Sequence, residues 1–304
     1  MVQTVRADRT APAPPWAARR ERAGALRQRY PFAREPLSLY LALVDVQQAA
    51  WSDAKDEVLR PEEFGAYVAV RVLPDIIEAT VTAGPRALTD LVRRQFAGAS
   101  PAVSGDLVRR WLDGEEQTPA ERYLARASAS PVLEALGDRA GEAFGGARRS
   151  EDADRCCPVC GGLPQCAFIA APVESLASGP RSLVCSRCAA VWPYPRLTCA
   201  ACGEQDSTKL TVLSEEGTEE RALSGSAVRG LRGRSDSNDP GQAPPRFPHM
   251  RIDACTTCSR YLLSIDLGRD PRAVPIVDEL AAIPLDLYAV ERGFTKVVPN
   301  LMGA

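Results

Sequence analysis

Apolar residues in the first half of the chain recur at the spacing of one helix face. Starting from Leu37, the residues Tyr40, Leu41, Val44 and Trp51 follow at offsets of 3, 4, 7 and 14. This spacing predicts a helix with one buried stripe. The same spacing returns in two later groups, which are Leu88, Leu91, Val92 and Phe96, and Leu107, Val108, Trp111 and Leu112. Five or six such helices between residues 19 and 143 predict an α-helical bundle whose apolar stripes form its core.

Helix start signals agree with this periodicity. Thr118-Pro119-Ala120-Glu121 has the form of a capping box with proline at the first helical position, and Ser130-Pro131 predicts the start of another helix. Residues 1–18 are rich in Ala, Pro and Arg without periodicity, which predicts a disordered lead-in. Residues 145–155 have the composition of a linker.

The second half of the chain has a different pattern. Short β-prone pieces are predicted at Ala167–Ala170, Arg181–Val184, Lys209–Leu213 and Tyr261–Ile265. Ser224–Pro248 is rich in Gly, Arg, Ser, Asp and Pro and is interpreted as a flexible insertion. Pro275–Glu291 carries a helical apolar face (Ile276, Val277, Leu280, Ile283, Leu287), with a kink expected at Pro284.

These patterns predict an α+β protein, with an N-terminal α-helical bundle, two tandem rubredoxin-like or zinc-ribbon units and a C-terminal helix. The predicted divisions are 1–18 (lead-in), 19–150 (helical domain), 151–198 (first ribbon), 199–268 (second ribbon, with the insertion 224–248) and 269–304 (C-terminal helix and tail).

Composition limits the function classes. The 304 residues are 45% hydrophobic and 25% charged, with a net charge of −2, as expected of a soluble globular protein. A dedicated nucleic-acid binder would carry a basic excess. The apolar runs are much shorter than the roughly 18 residues that cross a bilayer, and no export signal follows the early arginines. We therefore expect a cytoplasmic protein that neither inserts into membranes nor binds nucleic acid.

The cysteines concentrate the candidate chemistry. The chain has a single histidine, His249, which disfavours histidine-based catalysis, and all ten cysteines lie between Cys156 and Cys258. Eight of them form four CxxC pairs, namely Cys157/Cys160, Cys185/Cys188, Cys199/Cys202 and Cys255/Cys258. Two such pairs can complete a tetrahedral tetrathiolate site. Four pairs predict two sites for metal ions, and the ligand set suits iron or zinc.

The spacing suggests an internal repeat. Between Cys160 and Cys185 lie 24 residues, and between Cys202 and Cys255 lie 27 once Ser224–Pro248 is left out. We prefer pairing of the first motif with the second and of the third with the fourth, while interleaved pairing stays open. All four positions of each site are filled by protein, so no place is open for metal-assisted hydrolysis, and we predict no catalytic residues and no enzyme. A redox dithiol or a disulfide scaffold fits four intracellular CxxC pairs less well.

The motifs resemble those of the formate dehydrogenase accessory protein family, the FdhE type. The resemblance spans about residues 155–301. It rests on Cys157-Pro158-Val159-Cys160-Gly161, Arg181, Cys185-Ser186-Arg187-Cys188, Trp192, Arg196, Cys199/Cys202, Cys255/Cys258, Tyr261-Leu262, Asp270-Pro271 and Pro299-Asn300. Departures from the family pattern are Asp253 in place of Glu, Leu263 in place of Lys, and the Ser224–Pro248 insertion.

The resemblance implies a cytoplasmic assembly chaperone that binds the catalytic subunit of a molybdenum- or tungsten-containing formate dehydrogenase, with rubredoxin-like sites associated with iron. Two alternatives stay open. One is a redox protein whose iron cycles to act on a client enzyme, and the other is a zinc-ribbon module that binds nucleic acid. Arg181, Arg187 and Arg196 could pair with acidic groups of a client, and Trp192 and Tyr261 are expected to cover the metal sites.

Overall fold

The computed structural model describes residues 15–96, 98, 100–144, 154–171, 179–215, 221–222 and 245–303. Its first half is helical. The helices are α1 (Trp16–Arg29), α2 (Arg34–Ala54), α3 (Pro61–Arg71), α4 (Leu73–Ala83), α5 (Arg86–Phe96), α6 (Pro101–Asp113), α7 (Pro119–Leu136) and α8 (Arg139–Phe144), with a short 3-10 turn at Pro31–Ala33. The predicted five or six helices are too few, in part because Pro74 separates α3 from α4, which the apolar pattern alone would merge.

The start of α7 confirms the predicted capping box. The Thr118 hydroxyl accepts from the amide of Glu121, and the Glu121 carboxylate accepts from the amide of Thr118 at 2.8 Å. The predicted helix start at Ser130-Pro131 is wrong, because Pro131 lies inside α7. Proline lacks the amide that would bond the carbonyl four residues earlier, on Ala127. The side chain of Gln47 on α2 donates to that carbonyl at 2.9 Å, which compensates for the missing bond and lets the helix continue.

The beginning of the chain becomes ordered earlier than predicted. Most of the predicted lead-in lies outside the described residues, but α1 begins at Trp16, whose side chain is only 2% exposed. The guanidinium of Arg19 stacks over the Trp16 ring, 4.5 Å from its centroid. The predicted disorder is therefore wrong for residues 16–18, because a buried aromatic anchors them to the core.

The second half of the chain forms one sheet. Its strands are β1 (Pro164–Ile169), β2 (Arg181–Cys185), β3 (Val191–Pro193), β4 (Leu210–Leu213), β5 (Arg221–Ala222), β6 (Met250–Cys255), β7 (Arg260–Asp266) and β8 (Thr295–Lys296). The strand order is β3-β2-β1-β7-β6-β4-β5, and β8 pairs with β7. All four β-prone pieces found in the sequence are strands of this sheet.

The two predicted ribbon units meet inside this sheet. β1 and β2 pair antiparallel in the first unit, as do β4 and β6 in the second. The junction is a parallel pairing of β1 with β7, in which Ala167 faces Ser264 and Ile169 faces Asp266. The units are thus continuous through backbone hydrogen bonds.

The C-terminal region covers the sheet with two short helices. They are α9 (Pro275–Ala281) and α10 (Ile283–Glu291), separated at Ala282. The prediction of one helix kinked at Pro284 is therefore corrected to two helices that meet at Ala282. Pro284 lies in the first turn of α10, where proline is tolerated because the first amides of a helix have no intrahelical acceptor. Of the predicted apolar face, Val277 and Leu280 are buried, whereas Leu287 is exposed.

The hydrophobic core joins the two halves. One cluster contains Leu124 and Leu133 of α7 together with Leu183 and Cys185 of the first ribbon. A second cluster contains Leu37 and Val44 of α2 together with Ile252, Ile265 and Leu280. The predicted α+β class is confirmed, and the helical half packs its buried stripes directly on the sheet. Among the described helices, none combines the length and the apolar character needed to cross a bilayer.

The predicted flexible insertion needs a correction at its end. Residues 224–244 lie outside the described residues, but residues 245–248 are described. Phe247 is 1% exposed, its ring lies 4.9 Å from that of Tyr30, and its amide donates to the Glu215 carboxylate at 2.7 Å. The interpretation as a flexible segment is therefore wrong for Phe247, which is a core residue in a Pro-rich context.

Candidate metal centres

The first candidate centre brings together the first two CxxC motifs. The sulfur atoms of Cys157 and Cys188 are 3.6 Å apart, and those of Cys160 and Cys185 are 3.4 Å apart. All four side chains are buried. The centre lies in the core cluster that also contains α7 residues and Trp192, so the helical half forms part of its apolar wall.

The second candidate centre brings together the third and fourth motifs. The sulfur atoms of Cys199 and Cys258 are 3.8 Å apart, as are those of Cys202 and Cys255. Cys199 and Cys255 are buried, whereas Cys202 and Cys258 are partly exposed. Leu210 packs against the buried pair. The second centre is therefore the more accessible of the two.

The sulfur geometry fits a tetrahedral ion. In each centre the four sulfur atoms lie within 4.8 Å of one another. A metal–sulfur distance of about 2.3 Å in a regular tetrahedron places sulfur atoms about 3.8 Å apart. The second centre shows this separation in both measured pairs, and the first is slightly more compact. The grouping follows the preferred tandem pairing and not the interleaved one, and both clusters could hold a metal ion.

Local backbone structure aims the sulfurs inward. The amide two residues after the first cysteine of a motif donates to that cysteine's sulfur, from Val159 to Cys157 at 3.3 Å and from Ala201 to Cys199 at 3.4 Å. The amide of Arg187 donates to Cys185 in the same way. Such N–H···S bonds stabilise thiolate charge. The motifs are therefore shaped as metal-binding knuckles by their own backbone.

Every knuckle ends on a residue with left-handed backbone. The residue after the second cysteine has a φ of 71° at Gly161, 55° at Ala189, 80° at Gly203 and 54° at Ser259. Glycine adopts this conformation without a steric penalty, whereas Ala189 and Ser259 adopt it at a cost. The first and third knuckles thus share glycine, and the second and fourth share a strained residue. This alternation supports the internal repeat suggested by the spacing.

Thiol protonation in the centres is strongly shifted. In the first centre, hydrogen bonds from the thiols of Cys160, Cys185 and Cys188 lower the pKa of Cys157, while bonding to Cys157 raises the pKa of Cys188. In the second centre, burial raises the pKa of Cys199 to about 11. Four clustered thiols therefore resist full ionisation on their own, and a cation is needed to draw off the remaining protons.

The two other cysteines lie outside both groups. Cys166 is buried on β1, and burial raises its thiol pKa well above the ordinary value. Cys156 directly precedes the first motif and is partly exposed. Neither belongs to a cluster of potential ligands among the described residues.

The structure distinguishes the arginines and aromatic residues singled out in the sequence. Arg181 is buried and pairs with Asp253, Arg187 stacks over the ring of Trp111, and Arg196 is exposed. Trp192 belongs to the core cluster that also contains the first centre. Tyr261 packs in the second core cluster, the one that contains Ile252 and Ile265. Its hydroxyl donates to Asp286 at 2.7 Å.

A buried charge network lies between the helices and the sheet, and the sequence reasoning missed it. The Lys296 ammonium pairs with Glu279 at 2.8 Å and with Asp286 at 3.0 Å. Gln165 donates to Glu279 and accepts from the guanidinium of Arg126 on α7. The sequence signal for this network was the presence of Glu279 and Asp286 in a largely apolar helical segment. Acidic residues buried in such a segment require partners.

Comparisons with known proteins are consistent with this architecture. Residues 237–302 match the family model "FdhE, C-terminal domain". Proteins described as FdhE homologs are similar over about half of this chain, with 33% identity over 149 residues in Aquifex aeolicus and 30% over 146 residues in Pseudomonas putida. These matches span 41% and 37% of the relatives' own length, so the chain aligns with well under two thirds of each.

The fold as a whole also has a solved counterpart. The crystal structure of the FdhE protein from Pseudomonas aeruginosa superimposes with a TM-score of 0.60, covering 95% of each chain at 23% sequence identity. At this identity the likeness concerns the fold. The family model and the curated relatives confirm the resemblance to the FdhE family that the cysteine motifs predicted.

Proposed function

We propose that this chain is an accessory protein needed to make active formate dehydrogenase, and that it binds the catalytic subunit of that enzyme. The observation that carries the proposal is the pair of four-cysteine groups in a chain that resembles the FdhE family over its C-terminal half. The cytoplasm, where thiols stay reduced, suits eight clustered free cysteines and is the proposed compartment.

The two four-cysteine centres act in this proposal as scaffolds for a binding surface. Each would hold one iron or zinc ion, with Cys157, Cys160, Cys185 and Cys188 in the first centre and Cys199, Cys202, Cys255 and Cys258 in the second. A bound ion would cross-link the two CxxC motifs of its centre, at an apparent gain of about 10 kcal/mol or more per structural zinc site. With all four positions filled by protein, neither ion would activate water, which supports a role other than catalysis.

A genetic and a binding experiment test this function together. A strain that lacks the protein should still make formate dehydrogenase polypeptide but show little activity. Wild-type protein should restore the activity and co-purify with the catalytic subunit, as identified by mass spectrometry. The Cys199→Ser/Cys202→Ser variant should do neither, while the Cys156→Ser variant, outside both centres, serves as the matched control. Full activity in the deletion strain without co-purification would contradict the proposal.

A second candidate function is redox action on a client enzyme. The partial exposure of Cys202 and Cys258 favours it, because an electron entering or leaving an iron at the second centre would have a short path to the surface. A reversible visible spectrum on reduction and reoxidation of the iron-loaded protein is the expected signature. A protein that carries spectroscopically silent zinc and still restores formate dehydrogenase activity would exclude this candidate.

A further inference from the structure

A cleft lined by arginines lies against the second metal centre. Its lining includes Arg181, Arg196, Arg251 and Arg260, together with Cys199 and Cys255. These arginines come from β2, from the loop before Cys199, and from β6 and β7. Asp253 is the acidic residue in this lining. The fold thus gathers four cations from distant parts of the sequence around one carboxylate.

The carboxylate of Asp253 is already shared. It accepts from Arg251 at 2.9 Å and lies 3.3 Å from the guanidinium of Arg181. Arg260 donates to the backbone carbonyl of Lys296, and neither Arg260 nor Arg196 forms an ion pair within the described part of the chain. Both of these side chains are exposed at the cleft. The lining of the cleft therefore carries more arginines than carboxylates.

Arg181 supplies an independent observation at the base of the cleft. It is 4% exposed and donates to the carbonyls of Pro195 and Thr198 at 3.2 Å. Its Nε, however, is buried without a hydrogen-bond partner among the described residues. A buried charged donor that lacks an acceptor costs free energy, which an acceptor supplied from outside the chain would recover.

We propose that this cleft binds carboxylate groups of an acidic segment of a partner protein. Guanidinium groups bind carboxylates through short, charge-assisted hydrogen bonds. A protein carboxylate fits better than a nucleic acid, because the net charge of the chain is −2 and the basic residues form a compact cleft rather than an extended stripe. The identity of the partner rests on the proposed function, while the chemistry of the cleft does not.

The position of the cleft links partner binding to the metal. The loop Cys199–Ala201 and the end of β6 at Cys255 form part of its lining, and both carry ligands of the second centre. An ion that joins these segments would fix the distance between Arg196 and Arg251. The acidic segment should thus bind the metal-loaded chain more tightly than the metal-free one.

Fluorescence anisotropy on the full, metal-loaded chain tests the proposal. The probe is a labelled peptide of alternating glutamate and glycine, and the same peptide with glutamine in place of glutamate is its control. The Arg196→Gln/Arg260→Gln variant should bind the acidic peptide about fivefold more weakly, as expected for two partly exposed ion pairs. The Arg86→Gln/Arg94→Gln variant on α5 changes the net charge equally and should bind like wild type.

The outcomes separate the alternatives. Equally weakened peptide binding in both variants would mean unspecific charge attraction and would overturn the proposal. Tighter binding of a single-stranded oligonucleotide than of the peptide would overturn it as well. Loss of metal from the Arg196/Arg260 variant would show that these arginines only balance thiolate charge. If the wild-type protein binds the acidic peptide but the deletion strain keeps full formate dehydrogenase activity, the proposal for the cleft is supported and the proposed function is contradicted. If the wild-type protein does not bind the peptide and the deletion strain has little formate dehydrogenase activity, the cleft is overturned and the proposed function stands.

Discussion

The side chain of Gln47 occupies the hydrogen-bonding place that Pro131 leaves empty. Its amide donates to the Ala127 carbonyl at 2.9 Å, one turn before the proline inside α7. Helix α7 runs on to Leu136, and its buried residues belong to the core cluster that contains the first candidate centre. A polar residue in the buried stripe of α2 thus supplies the donor that the carbonyl of Ala127 lacks within its own helix.

The first prediction follows from this pair. Gln47→Leu should lower the free energy of unfolding by about 1–3 kcal/mol, because the Ala127 carbonyl becomes a buried acceptor without a donor. In a Pro131→Ala background the residue at 131 supplies its own amide, and the same substitution should cost clearly less. Urea denaturation of the four proteins of this double-mutant cycle measures the difference. An equal loss of stability from Gln47→Leu in both backgrounds would show that Gln47 does not compensate for the amide missing at Pro131.

The left-handed backbone at Ala189 and Ser259 gives the second prediction. Ala189→Gly and Ser259→Gly should each stabilise the metal-loaded protein by up to about 1 kcal/mol, since glycine removes the steric strain at positive φ. Ala190→Gly, at the next position and without positive φ, is the control and should be neutral or destabilising. Thermal unfolding at constant metal content measures both effects. Destabilisation by both knuckle substitutions would show that the strain is negligible.

Lys296 gives the third prediction. Replacing it with methionine leaves the carboxylates of Glu279 and Asp286 buried without their cation, which should cost about 3–5 kcal/mol. Lys209→Met, at an exposed lysine, should change stability little. Burial raises the pKa of Glu279, so this carboxylate can take up a proton once the cation is gone, and the loss at Lys296 should shrink as the pH falls. A pH-independent loss would mean that packing, rather than charge, dominates at this position.

The fourth prediction concerns protons and metal. Burial raises the pKa of Cys199 to about 11, so this thiol is protonated at neutral pH before an ion binds. The ligand is the thiolate, and metal binding must therefore release protons. The apparent affinity of the second centre should rise from slightly acidic to slightly alkaline pH. Calorimetry in buffers of different ionisation enthalpy counts the protons, and zero release would contradict the assignment of these thiols as ligands.

Elemental analysis provides the stoichiometry that this prediction assumes. Two four-cysteine groups predict two ions per chain. Replacing Cys199 and Cys202 by serine should remove one ion and leave the other, because the two groups share no ligand. Equal loss from both centres would show that they do not bind independently.

Phe247 gives the fifth prediction. Phe247→Ala should cost about 3–5 kcal/mol, as expected for a buried aromatic packed on Tyr30. Deleting residues 224–244 should change the melting temperature little, because loop closure depends only weakly on loop length. Extending the deletion through residue 248 should destabilise the protein as Phe247→Ala does. A large loss from the shorter deletion would show that this segment contributes to the fold.

The sequence predicted the local features and missed the long-range ones. The CxxC motifs, the capping box at Thr118 and the strand at Arg181 are visible in neighbouring residues, since knuckles, caps and alternation act over a few positions. The burial of Phe247 depends on Tyr30, and the continuity of α7 at Pro131 depends on Gln47. Such tertiary contacts override local composition, which is why a Pro-rich stretch and a proline were misinterpreted.

The order of strands in the sheet could not be predicted from the sequence for a related reason. The repeat in cysteine spacing predicted two units, but the parallel contact of β1 with β7 joins segments about a hundred residues apart in the chain. No local pattern specifies which strand edges meet, because an edge can pair with any suitable partner.

The parallel pairing of β1 with β7 also constrains the order in which the protein folds during synthesis. β1 leaves the ribosome long before Arg260–Asp266 exists, so one edge of the first ribbon has no strand beside it in the meantime. An uncovered strand edge is a template for unwanted association. Early capture of an ion by Cys157, Cys160, Cys185 and Cys188 would fix the nascent first ribbon, and arrival of β7 would then cover its edge. A strand made late thus protects the strand made first.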